Sequence, residues 1–154
     1  MHLKGFIEIE KNSSLKYEFD KSKNKLILDR KLKEPFKYPY SYGFIPNTLA
    51  KDGDELDILI ISDKKIKNNK LYDISIIGCL IMEDEKGLDE KILTILEEES
   101  DKYNDLNDID NKILNEIFYF FNNYKKDEKN KWSKALKFVD KKEAINIYHN
   151  YLIK

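Results

Sequence analysis

Asp52, Asp54 and Asp57 lie in the segment Asp52-Gly53-Asp54-Glu55-Leu56-Asp57, which runs directly into the apolar stretch Ile58 to Ile61. Gly53 allows a tight bend between the first two aspartates, and Asp57 is the first strand residue on the face continued by Leu59 and Ile61. Carboxylates about 5 Å apart repel by roughly 3 kcal/mol per pair at an effective dielectric of 20. A hard divalent cation removes that penalty. The spacing is not that of a calcium-binding EF-hand, because Leu56 and Asp57 stand where that loop needs an oxygen ligand and a glycine. The plainer alternative for this segment alone is a solvated acidic turn. A second acidic group, Asp84, Glu85 and Asp89, follows an apolar run ending at Met82 and precedes Lys91, which is expected to start the next strand. By itself that group reads as an ordinary surface turn.

A site that gathers cations around carboxylates and then takes a polyanion also needs fixed positive charges and hydroxyls facing them. Lys16 and Glu18 share one face of an expected strand, and Arg30 ends the next. Arg30 is the sole arginine in a lysine-rich chain, a hint that its planar fork is needed there. Tyr38-Pro39-Tyr40-Ser41-Tyr42-Gly43 sets aromatic hydroxyls in a stiff segment just before the aspartates, and Tyr124-Lys125 closes an expected long helix. Taken singly, each lysine reads more simply as a solubilising surface residue, and Tyr124 as a core aromatic.

The elements that must position these groups are read from periodicity. Phe6 to Glu10, Leu15 to Asp20 and Lys25 to Asp29 alternate apolar and polar residues, the pattern of antiparallel strands with one wet face. Leu56 to Ser62, Leu71 to Met82 and Lys91 to Leu96 are apolar, β-branched runs that complete a sheet of five or more strands. Between these sets, Pro35, Pro39, Pro46, Gly43 and Gly53 predict irregular backbone over residues 34–54, the kind of loop that carries function. Ile109, Ile113, Leu114, Ile117, Phe118, Phe121 and Tyr124 then recur at helical spacing. A second, shorter helix from Lys141 puts Ala144, Ile145, Tyr148 and Leu152 on one side. Strands first and helices second predict an α+β, mainly β fold with a small barrel or curled sheet.

The 154 residues, 41% hydrophobic, suffice for one domain with its own core and predict a single domain over 1–154. The 28 basic and 29 acidic side chains nearly cancel, which gives no general attraction to nucleic acid or to an anionic membrane. With no apolar run long enough to span a bilayer and no signal-peptide core at the N-terminus, the expected location is the cytoplasm. Cys79 is the only cysteine and sits in an apolar run, so it reads as a small buried hydrophobe. His2 and His149 lie near the termini and form no constellation with each other or with Cys79, which argues against a histidine-based site.

In order and spacing, the segments Ile7-Glu8-Ile9, Lys16-Tyr17-Glu18, Asp29-Arg30, Tyr38 to Gly43, Asp52 to Asp57, Gly78 to Lys91 and Phe121 to Trp132 resemble the family I soluble inorganic pyrophosphatases of bacteria. The resemblance implies a small closed five-stranded OB-like β-barrel with flanking strands and two C-terminal helices. It implies magnesium-dependent hydrolysis of pyrophosphate to two orthophosphates by direct attack of a water or hydroxide bridging two metals, with two to four Mg2+ per site and Mn2+ or Zn2+ able to substitute. Carried over by position, Asp52, Asp57 and Asp89 resemble the ligands of the first metal, with Asp57 bridging to the second, and Asp54 the base. Asp84 with Asp89 resembles the site of magnesium that arrives with substrate, while Glu8 and Glu18 match outer acidic positions. Lys16, Arg30, Lys91, Tyr124 and Lys125 resemble the pyrophosphate contacts, Tyr42 a hydroxyl near the nucleophile or substrate, and Tyr38 and Lys131 supporting positions. The family also implies a homo-oligomer, a hexamer in bacteria.

The chain departs from the pattern at a few places. The connection from Ile9 to Lys16 is about one residue shorter than in many bacterial members, and Glu10 and Glu55 stand where the family often has proline. Tyr119 and Asn123 occupy positions where some members carry histidines near a subunit contact, which makes hexamer assembly less secure than catalysis. The leading alternative is an OB-like nucleic-acid-binding module without catalysis. Its groove should be basic, whereas the candidate face here gathers Asp52, Asp54, Asp57, Asp84 and Asp89. A metal-stabilised structural protein without activity is a further alternative, but none of the family's active-site groups is missing.

Overall fold

The computed structural model describes residues 3–153. Its strands are β1 (Leu3–Ile9), β2 (Leu15–Asp20), β3 (Lys25–Lys31), β4 (Ser41–Ile45), β5 (Leu56–Ile60), β6 (Lys70–Asp84), β7 (Gly87–Leu96) and β8 (Ser133–Val139); its helices are α1 (Asn111–Asn123) and α2 (Lys141–Tyr151). The main sheet runs β1-β4-β5-β7-β6-β8, and β1 also pairs with the start of β6. Strands β2 and β3 form a separate antiparallel pair. The result is a mainly β fold with two C-terminal helices.

Period-2 side-chain alternation explains why this sheet carries two cores. On β5, Leu59 and the following Ile61 join one apolar cluster, while Leu56, Ile58 and Ile60 join the other. A strand covered on both faces has no wet side, so its sequence is a continuous apolar run. The first cluster takes Ile117, Phe120 and Phe121 from α1; the second takes Ala144 and Tyr148 from α2. Helix α2 starts where the Asp140 side chain accepts the Glu143 amide hydrogen at 3.0 Å, a standard N-cap. Cys79 is fully buried in the second cluster.

Two strands and several boundaries differ from the sequence expectation. Strand β4 lies inside the segment expected to be irregular, because only its flanks need the proline and glycine bends. Strand β8 reads as polar because it is an edge strand, with Lys134 and Lys137 exposed. Asp84 and Asp89 do not sit in a loop between strands: β6 runs to Asp84 and β7 begins at Gly87, a hairpin that turns at Glu85-Lys86 into Gly87, whose φ is +112°. Lys91 accordingly lies well inside β7 rather than at its start. Ile109 precedes α1, Tyr124 is its C-cap, and Leu152 lies beyond α2, so the apolar periodicity outran both helices.

Gly43 lies where β4 crosses closest to β1: a Cβ there would come 1.8 Å from the Phe6 carbonyl oxygen and 2.9 Å from the Ile7 Cα. Both obstacles are backbone and cannot rotate away. Gly43→Ala should therefore cost about 3 kcal/mol of stability, read as a lower denaturation midpoint; an unchanged midpoint would contradict this packing.

Candidate active site

The aspartate-rich turn is built by short-range hydrogen bonds. The Ala50 amide donates to the Asp54 carbonyl at 2.8 Å, the Gly53 amide to the Ala50 carbonyl at 3.1 Å, and the Asp54 amide to Asp52 Oδ1 at 3.1 Å. Gly53 has φ +89°, a conformation that side-chain-bearing residues resist. The turn delivers Asp57 as the second residue of β5. There, parallel pairing sets Asp57 opposite Lys91 of β7, and Asp89 is two residues before Lys91 on the same face.

This pairing creates the buried centre of the site. Lys91 is 3% exposed, and its Nζ donates to Asp57 Oδ2 at 2.8 Å and to the Tyr42 hydroxyl at 2.6 Å while lying 2.9 Å from Asp89 Oδ2. Burial alone would drive its pKa down, but Asp57 and Asp89 outweigh burial and hold the ammonium well above its ordinary value. Burial raises Asp57 to about 6, with Lys91 opposing and Asp89 adding to the rise. Burial also raises Asp52, against the Asp54 amide, and lifts Tyr42 and Tyr38 well above the usual phenol range. Both hydroxyls stay protonated, and Tyr42 donates to Asp57.

A cleft of about 340 Å³ opens over this centre; the residues carried over by resemblance line it, while Tyr40 of the tyrosine-rich segment does not. From β1 comes Glu8, whose carboxylate accepts the Phe19 amide at 2.8 Å. Burial raises Glu8 to about 8 against that hydrogen bond, helped by the negative charges of Asp57, Glu18 and Glu55. From β2 and β3 come Lys16, paired with Glu18 at 3.1 Å and Asp29 at 3.2 Å, and Arg30, paired with Glu128. From the β6–β7 hairpin come Asp84, Asp89 and Lys91, and from the segment after α1 come Tyr124, Lys125 and Lys131. Lys125 is 8% exposed and bridges Asp84 at 3.2 Å and Glu85 at 3.6 Å. Tyr38, Tyr42 and Tyr124 pack with Phe120 and Phe121 into an aromatic wall that ties α1 to the cleft.

Sequence reasoning passed over Glu128, Lys86 and the cleft-facing role of Glu85. Glu128 had no local signal, since its role follows from Arg30, which is 98 positions away in the chain. The turn residues Glu85 and Lys86 carried none. Of the two histidines, His2 lies outside the described residues and His149 stands in the last turn of α2.

The donors around the cleft are carboxylate oxygens, the set that suits hard divalent cations. Among the described residues, however, no three acidic, histidine or cysteine side chains already converge on one point. The carboxylates ring the cleft, and Lys91 and Lys125 span pairs of them. The upward displacement of Asp52, Asp57 and Glu8 marks negative charge that burial leaves undercompensated, and cations entering the cleft would relieve it. The donor chemistry therefore fits a metal. Lys16, Arg30 and Lys125 suit an anion with many oxygens. Together, the carboxylates and the basic side chains make one cleft whose chemistry suits divalent cations alongside a polyanion.

The family model described as inorganic pyrophosphatase matches residues 5–153. A curated inorganic pyrophosphatase of Campylobacter jejuni is 42% identical over 149 residues, covering 94% of this chain and 87% of the relative. One from Helicobacter pylori strain J99 is 41% identical over 145 residues, covering 92% and 84%. Among solved structures, a Helicobacter pylori inorganic pyrophosphatase superposes with TM-score 0.94 at 38% identity, covering 98% of this chain and 91% of that one. A Thermus thermophilus inorganic pyrophosphatase gives 0.93 at 35%, covering 97% and 88%. The chain belongs to the inorganic pyrophosphatase family.

The raised acids set a pH dependence for the metal-free protein. A carboxyl whose folded pKa is raised binds its proton more tightly when folded, so stability is full below the unfolded pKa and falls as pH rises to the folded one. Glu8 contributes such a fall from its ordinary 4.5 to about 8, and Asp57 one from 3.8 to about 6. Glu8→Gln should flatten the decline between pH 6 and 8 in thermal melts with chelator present. Equal slopes in wild type and variant would refute the shift assigned to Glu8.

Proposed function

We propose that this member of the inorganic pyrophosphatase family cleaves pyrophosphate through the cleft described above, with each lining residue acting as its position dictates. The carrying observation is that carboxylates from the turn at residues 52–57 and from the β6–β7 hairpin share one cleft with Lys16, Arg30 and Lys125. Asp52, Asp57, Asp84 and Asp89 would hold Mg2+, with Glu8 and Glu18 as outer acidic groups; by family likeness two to four ions would serve one site, and Mn2+ or Zn2+ could substitute. Divalent cations bound there would lower the pKa of water and neutralise phosphate charge.

The remaining steps belong to the protein. Asp54, exposed at the turn's tip, takes the proton from the attacking water. The Tyr42 hydroxyl, held protonated between Lys91 and Asp57, orients the groups beside it. Lys16, Arg30, Lys91, Tyr124 and Lys125 contact the two phosphoryl groups and spread the charge of the departing phosphate, and Lys91 also balances the buried aspartates. Tyr38 and Lys131 support the wall and rim. No covalent enzyme intermediate is required.

The fold reading that accompanies this function is one domain whose five strands β1, β4, β5, β7 and β6 close into an OB-like barrel. The β1–β6 pairing supports closure, since it joins the two ends of that strand series. By family likeness the protein is a cytoplasmic homohexamer; among the described residues no helix is long and apolar enough to cross a membrane. A nucleic-acid-binding role gains no support from a cleft with this many carboxylates.

Phosphate release from pyrophosphate should require Mg2+ and stop with EDTA. Asp54→Ala should lower kcat by about 10²- to 10⁴-fold, the usual worth of a general base. Turnover that persists in EDTA, or an Asp54→Ala enzyme as fast as wild type, would defeat these assignments. Sedimentation at micromolar concentration should give a six-subunit mass, and a monomer would remove the hexamer.

A further inference from the structure

Residues 46–55 leave the sheet between β4 and β5, and this excursion carries Asp52 and Asp54, with Asp57 just beyond it. Its inner hydrogen bonds, Ala50 amide to Asp54 carbonyl and Gly53 amide to Ala50 carbonyl, make the turn a compact unit. They do not fix how that unit sits on the sheet. One side chain does so at the base. Thr48 is 2% exposed; its hydroxyl donates to the Ile45 carbonyl at 2.6 Å and accepts the Leu56 amide at 2.9 Å. It thus adds a side-chain link at Ile45 and Leu56, the last register pair of the β4–β5 ladder, where the excursion leaves the sheet. The backbone on either side of Thr48 is pinned from outside: the Leu49 amide donates to the Tyr151 carbonyl at 2.8 Å, and the Ile153 amide to the Asn47 carbonyl at 2.9 Å. Tyr151 in turn donates to Glu90, the neighbour of Asp89, at 2.6 Å. Thr48 is not among the residues lining the cleft.

We infer that Thr48 is a positioning residue for metal binding: its buried hydroxyl sets the aspartate turn at the angle from which Asp52 and Asp54 face the cleft beside Asp57, which β5 already holds. The inference rests on Asp52 serving the metals and Asp54 acting as the base, as proposed above. The hydroxyl is suited to the task because a single O–H donates once and accepts once, and here both capacities close the same loop. Valine has a similar shape but leaves the Ile45 carbonyl and the Leu56 amide without this partner in a buried place.

The test is Thr48→Val beside Thr48→Ser, titrated calorimetrically with Mg2+ and no substrate. Thr48→Val should bind Mg2+ about 10-fold more weakly, the low end of the effect of removing a group that orients metal ligands. Thr48→Ser, which keeps the hydroxyl, should bind close to wild type even where its melting temperature drops. A folded Thr48→Val with wild-type Mg2+ affinity overturns the inference, because a merely structural residue would move the melting temperature alone. Hydrogen exchange of the wild-type protein decides the matter even if Thr48→Val does not fold. The Leu56 amide should be protected before Mg2+ is added; exchange at open-loop rates until metal binds would mean that metal, not Thr48, organises the turn. Mg2+-dependent pyrophosphate hydrolysis by the wild type, run alongside, separates failure of this inference from failure of the functional reading.

Discussion

The arrangement depends on one buried cation. Lys91 is 3% exposed and lies within 3 Å of two carboxylates and a phenol hydroxyl, contributed by three neighbouring strands. An ammonium so placed would lose far more in hydration than it gains unless its partners were charged and close. Asp57 and Asp89 meet that condition, and the three groups balance to a single negative charge at the floor of the cleft. Tyr42 and Phe121 add ring faces, with centroids 5.1 and 5.6 Å from Nζ. Everything above this floor works in a field that is negative yet not prohibitively so.

The sheet topology is what makes that balance possible. The parallel β5–β7 pair fixes Asp57 opposite Lys91, and the tight β6–β7 hairpin carries Asp84 and Asp89 to the same rim. Strands β2 and β3 stand apart from the main sheet, touching it where Phe19 packs on Phe6 and the Phe19 amide binds Glu8. They supply Lys16 and Arg30 as a wall opposite the acidic rim, and the segment after α1 supplies the other basic groups. Acidic and basic groups come from several parts of the chain and pair within and across them, Lys16 with Asp29 on β2–β3 and Arg30 with Glu128 of the segment after α1. Where they do meet, the contacts are ion pairs such as Lys125 with Asp84, which a metal and an anion could exchange for new partners.

Much of this was legible in the residues. The aspartate turn, the run of β5 and the apolar face of α1 are local patterns, in which each residue's role follows from neighbours a few positions away. Strands β4 and β8 were hidden because one is framed by proline and glycine and the other is an exposed edge rich in lysine. The hairpin at Asp84 to Asp89 was read as a loop because charged residues in a paired strand look like a turn until the partner is known. Glu128 was missed since its meaning lies wholly in Arg30, which is far away in sequence.

By itself, the sequence determined which chemical groups exist, the order in which they come and the spacing within each turn or strand, because those depend on covalent connection and short-range backbone preference. Only the tertiary structure decided that Asp57, Asp89 and Tyr42 share Lys91, that Glu8 is buried enough to hold its proton to about pH 8, and that both walls face one cleft. Those outcomes depend on burial and on distances between charges from separate strands. Both are properties of the packed sheet, and no single segment contains them.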